Sequence, residues 1–176
     1  MSNEEQLRYP IGKFSPKENY SPQDISRLIN QIEGAPHKIE TEIKNLTVAQ
    51  LDTPYRPGGW TVRQVLHHIS DSHMNAYIRL KWTLTENTPT IKAYDEKAWA
   101  ETPETKLDPG FSIELLKALH IKWVTVLRQL KPEDFQKSFL HPETNKYVTL
   151  ARQVAIYAWH GEHHLGHIRL VVNKKE

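Results

Sequence analysis

Apolar residues recur along this chain with the period of a helix, in four separate stretches. The first stripe runs Ile25, Leu28, Ile29, Ile32, Ile39, Ile43 and Leu46, behind Ser21-Pro22, a cap followed by proline at the first helical position. Gly34 and Pro36 interrupt it while leaving its phase intact. The pattern therefore predicts one long helix, bent or broken there. The second opens at Thr61, where Gln64 stands at capping-box spacing. It continues through Val62, Val65, Leu66, Ile69, His73, Ala76, Tyr77 and Leu80 to about Thr85. The third opens at Ser112 and carries Ile113, Leu116, Leu119, Trp123, Leu127 and Leu130. The fourth starts near Thr149 and carries Leu150, Val154, Tyr157, His164, Ile168 and Val171 almost to the C-terminus.

No stretch of any length alternates as a strand would. The intervening segments 47–60, 86–111 and 131–148 are rich in proline and turn residues. A short helical turn is expected at Asp95 to Trp99, and a small hairpin around Glu143-Thr144-Asn145. Connections this long usually cross a bundle or serve a function. The pattern predicts an all-α protein, one four-helix bundle over residues 1–176, with no repeat or linker to divide it.

Composition narrows the classes of function. The 176 residues include 38% hydrophobic and 25% charged side chains and carry a formal charge of +2, so neither disorder nor a nucleic-acid partner is suggested. Disulfides, thiolate ligands and a cysteine nucleophile are excluded, because the chain has no cysteine. The polar, acidic start Met1-Ser2-Asn3-Glu4-Glu5-Gln6 lacks a signal-peptide core, and no apolar run approaches membrane-spanning length. The plain expectation is a soluble cytoplasmic protein without a membrane partner.

Histidine changes the picture. Seven of the ten lie in two clusters, His67, His68 and His73, then His160, His163, His164 and His167. His160 and His164 are four apart, on one helix face and turned toward the bundle interior, which is a standard way to offer two nitrogen ligands to one ion. His163 is expected to project well away, with His167 at the far margin. One of His67 and His68 would complete a set of three, the number typical of a catalytic ion with positions left for water. Neighbouring residues point about 100° apart, and phase alone does not choose between them. His73 lies in the stripe centre, as a ligand or as a hydrogen-bonded core residue. Asp71, Glu162 and Asp95 are candidates for a supporting carboxylate or a general base, and each also reads as a solvated side chain. The five tryptophans read as core or pocket walls. No phosphate loop, nucleophile elbow or H-E-x-x-H motif is present.

Two motifs carry a resemblance: Pro57-Gly58-Gly59-Trp60-Thr61-Val62-Arg63-Gln64-Val65-Leu66-His67-His68-Ile69-Ser70-Asp71-Ser72-His73, and Ala158-Trp159-His160-Gly161-Glu162-His163-His164-Leu165-Gly166-His167-Ile168. Together with the opening Tyr9-Pro10-Ile11-Gly12, they make the chain similar to the DinB superfamily, and within it to the YfiT-like metal-dependent hydrolases of bacilli. The resemblance implies a four-helix bundle with long crossover connections, often homodimeric. It also implies one divalent ion, zinc or nickel, held by His160, His164 and a histidine of the second helix. The usual position, eight after the motif tryptophan, is His68; His67 competes, since a shift of one residue in the helix start would select it. The expected activity is hydrolysis of an unidentified small molecule. The alternatives are transfer of a low-molecular-weight thiol, of the bacillithiol type, and a non-catalytic metal-binding stress-response module.

Overall fold

The structure, a computed structural model, describes residues 3–174; Met1, Ser2, Lys175 and Glu176 lie outside that range. The elements in order are α1 (Asn3–Arg8), α2 (Pro22–Ile43), α3 (Val48–Leu51), α4 (Val62–Thr85), α5 (Glu96–Trp99), α6 (Gly110–Gln129), β1 (Ser138–His141), β2 (Lys146–Thr149) and α7 (Leu150–Val172). Short 3₁₀ turns follow α5 and α6. The four long helices form the bundle, and the apolar stripes that define them are what it buries.

The helix starts are set by local chemistry. At α2, Ser21 accepts from the Asp24 amide while Asp24 accepts from the Ser21 amide, and Pro22 occupies the first helical position. Thr61 and Gln64 close the same reciprocal box on α4. Thr149 caps α7 by accepting from the Arg152 amide. The α2 helix runs without a break through Gly34 and Pro36, and Leu46 falls beyond its end. Helix α6 begins at Gly110, two residues before the expected Ser112. The turn at α5 and the hairpin are both present, with β1 and β2 antiparallel and Phe139 opposite Val148. Four-residue strands are too short for an alternation to register in the sequence.

Helices α2 and α4 each pack on both α6 and α7. They therefore face each other across one diagonal of the bundle, and α6 and α7 across the other. The links α2–α4 and α6–α7 each cross a diagonal. No helix among the described residues is long and apolar enough to cross a membrane.

The core divides into two apolar clusters. One contains Ile25, Leu28, Ile32, Leu80, Trp123, Leu127, Val154 and Tyr157. The other contains Ile39, Val62, Leu66, Ile69, Leu116, Leu165 and Ile168. On α4, α6 and α7 the residues between the two clusters are polar and buried: Ser72 and His73, His120, and His164. A layer of histidines thus lies across the middle of the bundle, with hydrocarbon above and below.

The N-terminal segment 9–14 lies on the outer side of α7. Gly166 permits this approach: a Cβ there would stand 2.8 Å from Cγ of Pro10 and 3.2 Å from its Cβ. The Trp159 indole Nε1 donates to the Gly12 carbonyl at 3.3 Å. In Gly166→Ala the helix gains about 1 kcal/mol of intrinsic propensity, while the rigid proline ring has to move. We expect faster limited proteolysis and faster amide exchange over residues 9–14 in that variant. Unchanged rates would show that the segment is not seated by this contact.

Candidate metal centre

Three imidazoles from two helices converge in the middle layer. His68 of α4 and His160 and His164 of α7 each offer one nitrogen, and these atoms all lie within 4.8 Å of one another. The Nε2 atoms of His68 and His160 are 3.3 Å apart. The Trp60 ring lies against His68, with centroids 4.7 Å apart. His68 and His164 are buried and His160 is nearly so.

The hydrogen bonds behind this trio decide which nitrogen of each α7 ring carries the proton. His120 Nδ1 lies 2.6 Å from the Ile32 carbonyl, which can only accept, so Nδ1 is the protonated atom. Burial holds the His120 pKa down at about 4, so the ring is neutral at pH 7 and its Nε2 is a lone pair. That lone pair accepts from His73 Nδ1 at 2.8 Å. His73 is itself kept neutral by burial and its histidine neighbours, so its Nε2 accepts from His160 Nδ1 at 3.2 Å. His160 is left with a lone pair on Nε2, the nitrogen that faces His68.

Helix α7 holds a second, shorter chain of the same kind. His167 Nε2 donates to the Arg8 carbonyl at 3.1 Å, and its neutral Nδ1 accepts from His164 Nδ1 at 3.3 Å. His164 is left with its lone pair on Nε2.

Both chains end on carbonyls that lack helical partners. A helical bond to Ile32 O would come from the amide of residue 36, and Pro36 has no N–H. Arg8 is the last residue of α1, whose terminal carbonyls have no helical donor.

The donor set fits a divalent cation. Two neutral lone pairs, on Nε2 of His160 and of His164, face the His68 ring, and a proton or a cation among the three rings satisfies them. Imidazole without thiolate or carboxylate suits a borderline metal of the zinc and nickel type.

The sequence profile of the DinB superfamily matches residues 31–168. The chain belongs to the DinB superfamily. Within the DinB superfamily, YfiT of Bacillus subtilis (strain 168) is 48% identical over 163 residues, 92% of each chain. A Bacillus cereus (strain G9842) protein, provisionally named a metal-dependent hydrolase, is 52% identical over 162 residues, 92% of this chain and 93% of that one. The solved structure of Bacillus subtilis YfiT matches with a TM-score of 0.92 at 47% identity, over 94% of this chain and 95% of that one. It is described as a probable metal-dependent hydrolase with an unusual four-helix bundle topology.

The other sequence candidates sit elsewhere. His67 is turned toward α6, where its Nδ1 lies 2.8 Å from Ser112 Oγ and its Nε2 3.3 Å from the Leu107 carbonyl. Both its nitrogens tie α4 to the entry of α6. His163, expected to project well away from the bundle interior, does so but is buried: it stacks on Trp159 at 4.4 Å and lies 6.0 Å from the Tyr9 ring. His167, placed at the far margin, is buried under Tyr55, with ring centroids 3.9 Å apart. In each case a segment distant in sequence covers the face that α7 turns away from the bundle. His120 was missed as a functional candidate; its one signal is a histidine between Leu116 and Trp123 on an apolar stripe.

None of the three candidate carboxylates stands beside the trio. Glu162 pairs with Lys38. Asp95 caps α5 by accepting from the Lys97 and Ala98 amides, each at 3.0 Å. Asp71 is half-buried, and burial with the neighbouring Glu104 charge pushes its pKa up to about 6.

The depressed histidines make the metal-free fold sensitive to acid. Burial lowers His68 to about 4, and His167 likewise to about 4, as it does His120. Between about pH 6.5 and pH 4 the unfolded chain binds protons at these sites and the folded chain does not. Stability therefore falls as pH falls through that window, by up to about 1.4 kcal/mol per pH unit for each such group. Asp71 acts in the opposite sense but is one group against several. Denaturant midpoints of the metal-free protein from pH 7 to pH 4 should decline steadily; a flat profile would contradict the assignment of neutral, buried rings.

Proposed function

We propose that the chain is a metal-dependent hydrolase, with one divalent ion, zinc or nickel, held by His68, His160 and His164. The observation that carries this is the convergence of three buried imidazole nitrogens, two of them fixed in the ligating tautomer. The relatives' names agree with it.

A divalent ion held there supplies Lewis acidity, drawing charge from an oxygen and making water a competent nucleophile near neutral pH. The chain's own residues supply position and exclude competing donors. Ser72 Oγ lies 3.4 Å from His160 Nε2, at the edge of the trio, where its hydroxyl can donate to an oxygen of substrate or water. Tyr94 and Tyr157 line the cavity that opens on His68 and His160. Burial raises the pKa of both phenols, so each remains a hydrogen-bond donor. Trp60 closes one side of His68 and limits access.

A larger cleft of about 550 Å³, lined by Tyr20, Ile25, Ile29, Leu127, Phe135 and Ala151, lies away from the histidines. It offers no comparable donor set, so the smaller cavity at the trio is assigned to substrate.

Elemental analysis of untagged protein should find about one ion per chain. His164→Ala should lose it while remaining folded, and His67→Ala should keep it. His120→Leu leaves the trio intact but removes the donor to Ile32 O, and should weaken metal binding by about 10- to 100-fold. Retention of metal in His164→Ala would overturn the ligand assignment. A panel of esters and amides tests the reaction. Turnover confined to a low-molecular-weight thiol plus an electrophile would replace hydrolysis with thiol transfer at the same centre.

A further inference from the structure

Helix α4 carries one more buried polar group on the face that holds His68. Ser72 and Arg79 stand four and eleven positions beyond His68, which at 100° per residue places all three within about 40° of one another. Long side chains on a helix lean toward its N-terminus, so Arg79 leans back toward Ser72 and the trio. The cavity of about 160 Å³ beside the trio is lined by His68, Ser72, Arg79, Tyr94, Tyr157 and His160.

Arg79 is only 8% exposed. One of its terminal nitrogens donates to the Lys92 carbonyl at 3.2 Å, and its Nε is buried with no partner. No carboxylate among the described residues comes within 4.0 Å of it. Glu96 and Glu143 also line this cavity, but both side chains are exposed and neither forms an ion pair with it. A second buried nitrogen in the same cavity, Nδ1 of His141, also has no partner. An arginine remains charged at any ordinary pH, and a buried charge without a counter-ion is costly. Guanidinium presents its donors in a planar fork that matches an oxyanion.

We propose that Arg79 is an anion subsite beside the histidine trio, and that the substrate carries a carboxylate or phosphate group held there while its reacting bond lies at the trio. This rests on the hydrolase reading for the reacting bond, though the anion site itself does not. The two phenols add neutral donors to the same wall, and exposed Glu96 and Glu143 disfavour anions that stay at the entrance instead of reaching Arg79.

The test titrates inorganic phosphate and, separately, acetate into the metal-loaded full chain and into metal-free His164→Ala. The Arg79 Nε–H resonance is followed, with metal content measured in parallel. The Nε–H signal should shift saturably in both proteins, and the stronger of the two anions identifies the preferred group. Arg79→Gln should weaken binding by about 10- to 100-fold with metal content unchanged, and Arg79→Lys should recover part of the loss. Among model esters, those bearing a carboxylate or phosphate should be favoured over neutral ones, with the preference lost in Arg79→Gln chiefly through KM. An unmoved Nε–H, or undiminished anion binding in Arg79→Gln, would overturn the proposal. Anion binding at Arg79 in a chain that never takes up metal would leave the subsite standing and sink the hydrolase reading instead.

Discussion

Two backbone carbonyls, those of Ile32 and Arg8, anchor the histidine layer on which the candidate centre depends. Each accepts from a histidine because its helical donor is missing, one through Pro36 and the other because α1 ends. A carbonyl cannot donate, so the direction of every hydrogen bond inward from it is determined. The proton positions on His120, His73 and His160, and on His167 and His164, follow in sequence. What reaches the centre is a pair of imidazoles whose Nε2 lone pairs are oriented before any ligand arrives.

Such a layer would be expensive if any member lacked a partner, because an unsatisfied buried donor or acceptor costs roughly 1–3 kcal/mol. The two apolar clusters on either side supply the offsetting burial and keep water from competing with the chains. The diagonal topology matters here as well. Because α2 and α4 both pack on α6 and on α7, His120 on α6 can bridge from Ile32 on α2 to His73 on α4. His73 then passes the orientation to α7. All four long helices contribute to the longer chain, so damage to any of them reaches the trio.

The four stripes, the caps at Ser21, Thr61 and Thr149, and the inward pair His160 and His164 were legible in the sequence, since each is a local pattern read along one helix. Which of His67 and His68 faces the α7 pair was not legible, because both flank the stripe; His67 is held away by Ser112 and the Leu107 carbonyl, which the connection before α6 brings to it. Pro36 was visible as an interruption, but not as the residue that frees Ile32 O, since the histidine using that carbonyl lies on another helix. His163 and His167 read as lying off the bundle interior, and nothing local shows that Tyr9 and Tyr55 return to cover them. Arg79 was overlooked for a similar reason: a lone arginine beside an apolar stripe is ordinarily a solvated edge, and its lack of a carboxylate and its unpartnered Nε appear only once the cavity is closed.

The account turns on the tautomers of the two α7 histidines of the trio. Long-range nitrogen–proton NMR of the imidazoles in the metal-free protein at neutral pH reads them directly. His160 and His164 should both be neutral with the proton on Nδ1, and His160 should lose that uniform state in His120→Leu. Finding either ring protonated on Nε2, or as an imidazolium at pH 7, would contradict the claim that the carbonyls of Ile32 and Arg8 set up the centre.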